Sequence, residues 1–248
     1  MFLNDIHIGY YILFILLGGI VGQFTDWIAK RALKNEKIFS KDIITEYKKF
    51  FRPNYLLIGI TIMIYLIILV TQGVSLNFYG DLKLILYLII TPILIAMFIT
   101  DYREQIIPNR LNLILFEIGL VYTFLIGFIN VNTAIYQGLG MLIGGGIFLL
   151  ITLIGGLIAG KEAMGFGDVK LMCALGVTFG MHAIINISVM SFLIGAVISI
   201  ILLATKIKKT DEYIPFGPFI VIATFITMIV SDYLISYILL KIFTLGMF

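Results

Sequence analysis

Eight apolar runs, separated by short polar segments, make up most of the chain. They cover residues 8–22, 55–71, 82–100, 110–129, 134–159, 169–181, 184–204 and 214–240. Most approach the roughly 20 apolar residues that a helix needs to cross a bilayer. Helices are predicted because lipid offers no hydrogen-bond partners, so each backbone group must be satisfied within its own segment. The sixth run is short and opens with charged residues, which predicts a helix that begins at the membrane surface.

The composition agrees with a membrane environment. Of the 248 residues, 61% are hydrophobic and 12% are charged, against about half and about a quarter in soluble domains. We therefore predict an all-α integral membrane protein with about eight transmembrane helices, short loops and one polar loop. Residues 1–80 are expected to hold the first two helices and residues 81–248 a six-helix core. The N-terminus lacks the features of a cleavable signal peptide, so the first helix is expected to stay in the mature protein.

Basic residues predict the orientation of the helices. Fifteen of the 17 lysines and arginines fall in four loops, which cover residues 23–54, 101–110, 160–170 and 205–213. With eight helices these loops lie on one side of the membrane. Basic loops favour the cytoplasm, so both termini are expected outside.

The first of these loops, residues 23–54, is the long polar one. From Ser40 onward, apolar residues recur on one face of a predicted interfacial helix: Ile43, Ile44, Tyr47 and Phe51. Its basic residues are expected to lie on anionic lipid headgroups. Docking of a substrate's polar part is the alternative function of this loop.

Two acidic residues at helix ends are the candidate chemical groups. Asp101 closes the third apolar run, and Asp168 opens the sixth within the sequence Gly165-Phe166-Gly167-Asp168-Val169-Lys170. A carboxylate at the membrane edge is costly and therefore points to function. Under the predicted topology both lie at cytoplasmic helix ends, where they are expected to meet.

Two adjacent carboxyl groups can share one proton, which lets the pair activate a water and protonate a leaving amine. Gly165 and Gly167 would allow backbone to approach Asp168 closely. Lys170 is open to two interpretations: it favours ionisation of a nearby carboxylate, or it is an ordinary snorkelling lysine.

Other protease chemistries fit the sequence poorly. The only histidines, His7 and His182, are far apart, which excludes the helical His-Glu-x-x-His zinc motif. No serine nucleophile with a helical histidine partner is found. Cys173 is the single cysteine, so a disulfide within the chain and a multi-cysteine metal site are excluded.

Three motifs, in order, resemble those of the bacterial type IV prepilin peptidases, which are intramembrane Gly-x-Gly-Asp aspartyl proteases. They are Asp101 with Ile107-Pro108-Asn109, then Gly165 to Lys170, then Ile214-Pro215-Phe216-Gly217-Pro218. The resemblance implies removal of the short basic leader from pilin-like precursors at the cytoplasmic face of the bacterial plasma membrane. It implies Asp101 and Asp168 as the catalytic pair and Gly165, Gly167 and Lys170 as residues that position substrate.

The loop 23–54 departs from this family because it holds no cysteine, whereas many members carry two Cys-x-x-Cys pairs there. Structural zinc is therefore not expected, and proteolysis is expected to need no cofactor. S-adenosylmethionine would be used only if the family's second activity, methylation of the new N-terminus, is retained. The expected partners are a pilin-like precursor and membrane lipids, with no nucleic acid and no metal.

Two alternative functions remain open at this stage. One is an archaellin-type processing peptidase of the same protease class, although the motif at Ile214–Pro218 favours the bacterial branch. The other is a proton-coupled transporter with Asp101 and Asp168 as a relay, which predicts repeat-related halves and acids at the bilayer midplane. Neither of those features is seen in the sequence.

Overall fold

The computed structural model describes residues 2–3, 6–34, 54–74, 77–160, 164–206 and 214–244. This part of the chain is almost entirely α-helical. Two very short antiparallel strands, β1 (Phe2–Leu3) and β2 (Ile6–His7), precede the helices. The helices are α1 (Ile8–Leu33), α2 (Tyr55–Gln72), α3 (Phe78–Glu104), α4 (Asn109–Gly127), α5 (Val131–Ala159), α6 (Phe166–Phe179), α7 (Met181–Ala204), α8 (Gly217–Ile229) and α9 (Asp232–Phe243).

The helix lengths agree with an integral membrane protein. Six described helices are long and apolar enough to cross a membrane: α1 to α5 and α7. The α6 helix has 14 residues and rises only about 21 Å, less than the roughly 30 Å of hydrocarbon. The all-α membrane prediction is confirmed, and each predicted apolar run coincides largely with helix.

The chain forms two compact units, Met1–Leu111 and Asn112–Phe248. In the first unit, α1 packs closely on α2 through two glycines. A Cβ on Gly18 would lie 2.9 Å from Ile62 Cα, and one on Gly22 would lie 2.8 Å from Ile58 Cα. Because small residues let membrane helices approach closely, these glycines fix the contact between α1 and α2.

In the second unit, α5 carries the most extensive contact, along the face of α6. Gly140 of α5 faces Gly176 of α6, and Gly144 faces the backbone of Met172. The α6 helix is thus held backbone to backbone against α5. The α7 helix contacts α5, α6, α8 and α9.

Two boundary predictions were wrong. The predicted loop 23–54 begins too early, because α1 continues to Leu33. An i,i+4 ion pair between Asp26 and Lys30 and a cation–π contact of Arg31 over Trp27, with 5.0 Å between Arg31 Cζ and the ring centroid, stabilise this extension. The interfacial helix predicted from Ser40 lies outside the described residues.

The run 214–240 is not one helix but two. Val230 is extended, with ψ 141°, and Ser231 caps α9 by accepting a hydrogen bond from the Leu234 N–H. A side-chain oxygen at this position replaces the backbone acceptor that a helix start lacks. The predicted functional division at residues 80 and 81 differs from the boundary between the compact units and stays a prediction.

Candidate active site

Asp101 lies in the last turn of α3, and its side chain is only 4% exposed. The helix ends beyond it because Gln105 adopts the left-handed conformation, φ 55°, and its N–H donates to the Asp101 carbonyl oxygen over 2.9 Å. The neighbouring Thr100 is also buried and donates its hydroxyl to Met97 O. Asp101 is thus a buried acid in the first unit, where the backbone holds it at a helix C-terminus.

Asp168 lies in the first turn of α6, and its side chain is 3% exposed. Its N–H donates to the carbonyl oxygen of the N-cap residue Gly165 over 3.1 Å. This places the carboxyl group in the second unit, at a helix N-terminus, where oriented N–H groups favour negative charge.

The two glycines before Asp168 have backbone conformations that any other amino acid could adopt. Gly165 has φ −68° and Gly167 is helical. Among the described glycines, positive φ occurs only at Gly73, Gly160 and Gly180. Both Gly165 and Gly167 are half-exposed. Neither glycine is therefore required by an unusual turn beside Asp168.

Lys170 is exposed, and its Nζ lies 5.4 Å from the centroid of the Phe166 ring one turn earlier. This is a cation–π distance between i and i+4 positions. The ammonium group of Lys170 lies over the Phe166 ring at the start of α6. The role of Lys170 in positioning substrate stays a prediction.

Asn112, which the sequence analysis did not single out, contacts the Asp168 segment directly. It lies in α4, is 4% exposed, and donates from Nδ2 to the Gly167 carbonyl oxygen over 3.3 Å. The signal available in the sequence was a lone amide within the apolar run 110–129, because polar groups are costly there.

The other end of α6 is also held by side chains of neighbouring helices. The Thr123 hydroxyl of α4 lies within hydrogen-bond distance of two carbonyl oxygens, Val177 O at 3.0 Å and Gly119 O of its own helix at 2.8 Å. Gln137 of α5 donates from Nε2 to Thr178 O over 3.5 Å. The last carbonyl groups of a helix lack intrahelical partners. These two donors satisfy them, so the short helix can end in apolar surroundings.

The third motif begins α8 and packs as part of an aromatic cluster. The Phe216 ring centroid lies 5.0 Å from that of Phe192, 5.8 Å from that of Phe219 and 6.0 Å from that of Phe148. Pro218 stands at the start of the helix, where its missing N–H costs nothing. In the second unit, therefore, the motif anchors α8 against α5 and α7.

Within the described ranges, no cluster of His, Cys, Asp and Glu is arranged to hold a metal ion. His7 caps α1 by accepting from the Gly9 N–H, and His182 lies against Tyr136 with 5.7 Å between ring centroids. Asp101 and Asp168 belong to different units, and their meeting stays a prediction.

Comparison with known proteins shows which family the chain resembles. Residues 88–200 match the profile of the type IV leader peptidase family. The matched residues include Asp101, Asn112 and the segment from Gly165 to Lys170, whereas the Ile214–Pro218 motif lies beyond them.

Several relatives carry the name prepilin leader peptidase/N-methyltransferase. Those from Aeromonas hydrophila and Pseudomonas aeruginosa are 32% identical over 145 and 146 residues, which is 58% of this chain and 49% of each relative. The Legionella pneumophila relative is 32% identical over 163 residues, 66% of this chain and 56% of the relative. The chain thus spans about half the length of the curated relatives it matches. No solved structure matches it.

Proposed function

We propose that the protein is a membrane-embedded aspartyl endopeptidase that removes the short basic leader from type IV pilin-like precursors at the cytoplasmic membrane face. One observation carries the proposal. Of the seven carboxylate side chains in the described residues, only those of Asp101 and Asp168 are buried, and both occupy helix ends. Burying a carboxyl group costs free energy, so its burial at these two positions points to a function.

In the proposed reaction the two carboxyl groups share one proton. The ionised one takes a proton from a water, and the resulting hydroxide adds to the scissile carbonyl carbon. The protonated one donates to the carbonyl oxygen. As the tetrahedral intermediate collapses, the C–N bond breaks and the amine leaves with a proton from the pair. The products are the leader with a new carboxyl group and the pilin-like chain with a new N-terminus.

The helix positions support unequal roles for the two acids. Asp168 lies at the N-terminal end of α6, where the helix dipole stabilises negative charge, and Asp101 lies at the C-terminal end of α3, where it does not. In the proposed resting state Asp168 is the ionised base and Asp101 carries the proton.

Proteolysis by this route uses no cofactor. The name of these relatives includes an N-methyltransferase activity, for which S-adenosylmethionine would be the methyl donor. We include methylation of the new N-terminus only as a second activity to be measured on the same product. The proposed setting is a multi-pass plasma membrane protein with both termini outside, in contact with lipids and its precursor substrate, and with neither metal nor nucleic acid.

The deciding experiment incubates the purified full chain in lipid vesicles with a pilin-like precursor and measures the product by mass spectrometry. A product that has lost its leader is expected, and the mass of its N-terminal peptide reports methylation. Asp101→Asn and Asp168→Asn are each expected to abolish cleavage, because the shared-proton pair works as a unit. Glu104→Gln is the matched control, since Glu104 is exposed and lies one turn from Asp101.

Three results would contradict the proposal. Cleavage at the wild-type rate by either Asn variant would exclude the aspartyl mechanism. A wild-type protein that leaves the precursor intact but moves protons across the vesicle membrane would favour the transporter instead. Cleavage of archaellin-type precursors in preference to pilin-like ones would assign the chain to the archaellin-processing branch.

A further inference from the structure

The side chain of Asn112 makes one hydrogen bond and leaves one buried acceptor unused. Its Nδ2 donates to Gly167 O over 3.3 Å, while its Oδ1 is buried and makes no hydrogen bond with any described residue. The side chain is 4% exposed. A carbonyl oxygen accepts but cannot donate, so the amide must turn its NH₂ group toward Gly167. The direction of the amide is therefore fixed by chemistry.

Stabilising the contact between α4 and α6 does not by itself explain a buried asparagine at residue 112. One neutral hydrogen bond contributes little net stability, and a buried acceptor without a donor costs at least as much. An apolar side chain of the same size would hold α4 against α6 equally well. The unused Oδ1, on a side chain that bonds one residue away from Asp168, leaves an acceptor for a donor that arrives with a ligand.

The surroundings identify the kind of donor. Gly167 precedes Asp168 directly, and the backbone from Gly165 to Gly167 is half-exposed, with Phe166 exposed between them. An extended peptide can lie along this open edge. Its main-chain N–H groups are the donors that every peptide substrate carries, whatever its side chains.

We infer that Asn112 is a substrate-binding residue: held by Gly167, it accepts at Oδ1 a hydrogen bond from a main-chain N–H of the substrate close to the scissile bond. This inference rests on the proposed peptidase function and deepens it. Asn112 binds the substrate beside Asp168 and takes no part in proton transfer.

The test begins with the wild-type protein and synthetic precursor peptides. In each peptide one main-chain N–H near the scissile bond is replaced by an ester oxygen, which deletes a donor and keeps the shape. One position is expected to lower kcat/KM by about 3- to 10-fold, the size of one hydrogen bond. If no position within four residues on either side of the cut lowers kcat/KM, the inference is overturned without any protein variant.

The second arm combines the sensitive peptide with Asn112→Leu, which has similar volume and no amide. Asn112→Leu is expected to lower kcat/KM of the unmodified peptide about 10-fold and to make the enzyme insensitive to the ester. If the Asn112→Leu variant does not fold, Asn112→Ser replaces it in the same comparison. Ester and variant effects that simply multiply would overturn the inference.

Gln137→Leu is the matched control. Gln137 is also 4% exposed, donates to an α6 carbonyl and has a buried Oε1 that bonds to no described residue, but it lies at the far end of the helix. Its variant should keep both the rate and the sensitivity to the ester. An equal loss in both variants would mean that each merely supports α6. Cleavage that survives Asp101→Asn would instead refute the proposed function.

Discussion

Gly144 lies so close to Met172 that a Cβ built on the glycine would stand 2.6 Å from the Met172 carbonyl oxygen. That oxygen is backbone of α6 and cannot move without shifting the helix that carries Asp168. The contact between α5 and α6 therefore depends on the absence of a side chain at residue 144.

Gly144→Ala is expected to destabilise the protein by about 1–3 kcal/mol, because an added methyl overpacks a backbone contact. Thermal unfolding in detergent measures the loss. Gly146→Ala is the matched control, since a Cβ there meets nothing within 4 Å. Alanine is the better helix former, so the control should be neutral or slightly stabilised. Equal unfolding temperatures for the two variants would contradict the close contact.

The unequal roles of the two acids predict an infrared signature. The wild-type protein should show the C=O stretch of a protonated, buried carboxyl group. Asp101→Asn should remove this band, and Asp168→Asn should keep it, because the helix dipole favours the anion at Asp168 and disfavours it at Asp101. If Asp168→Asn removed the band and Asp101→Asn kept it, Asp168 would be the protonated acid and Asp101 the ionised base. The aspartyl mechanism would still hold. Glu104→Gln should leave the band unchanged.

Thr123→Val should destabilise the protein by about 0.5–1 kcal/mol, because the Val177 carbonyl of α6 loses the hydroxyl donor that it shares with Gly119 O of α4. Valine matches threonine in shape, so packing is kept. Thr71→Val is the control: the Thr71 hydroxyl donates only within its own helix, to Ile67 O and Ile68 O. Chemical denaturation compares the two variants. A smaller loss at residue 123 than at residue 71 would contradict the capping role.

The topology is tested by labelling single cysteines at exposed positions, with Cys173 replaced by serine. Arg103→Cys and Lys206→Cys should react with a membrane-impermeant maleimide only after cells are permeabilised. Asn132→Cys should react in intact cells. These expectations follow from the predicted cytoplasmic side of the basic loops. Labelling of residues 103 and 206 from opposite sides would refute the arrangement with four loops on one face.

The sequence predicts most of the helical segments, because hydropathy measures the transfer of a segment into lipid and each segment satisfies its own backbone. The two buried acids were also predictable, since a carboxylate at the end of an apolar run stands out against its neighbours. The resemblance to the type IV leader peptidase family follows from the motifs around Asp101 and Asp168, and the profile match over residues 88–200 agrees with it.

Hydropathy does not predict a helix boundary where local side-chain interactions extend or interrupt the helix. The α1 helix runs past its apolar part to Leu33 because side chains one turn apart pair on its polar surface. The run 214–240 breaks at Ser231 because a side-chain cap starts a second helix within an apolar stretch.

Only the tertiary structure decided which polar side chain reaches which backbone group. Asn112 and Gly167 lie 55 positions apart in the chain, and Gln137 and Thr178 lie 41 apart. Their contacts arise from the packing of α4 and α5 on α6, which small residues such as Gly144 permit. Sequence patterns report each segment's preference for lipid or water. The pairing of groups between segments depends on helix rotation and close approach, which are set by the packing of the whole unit.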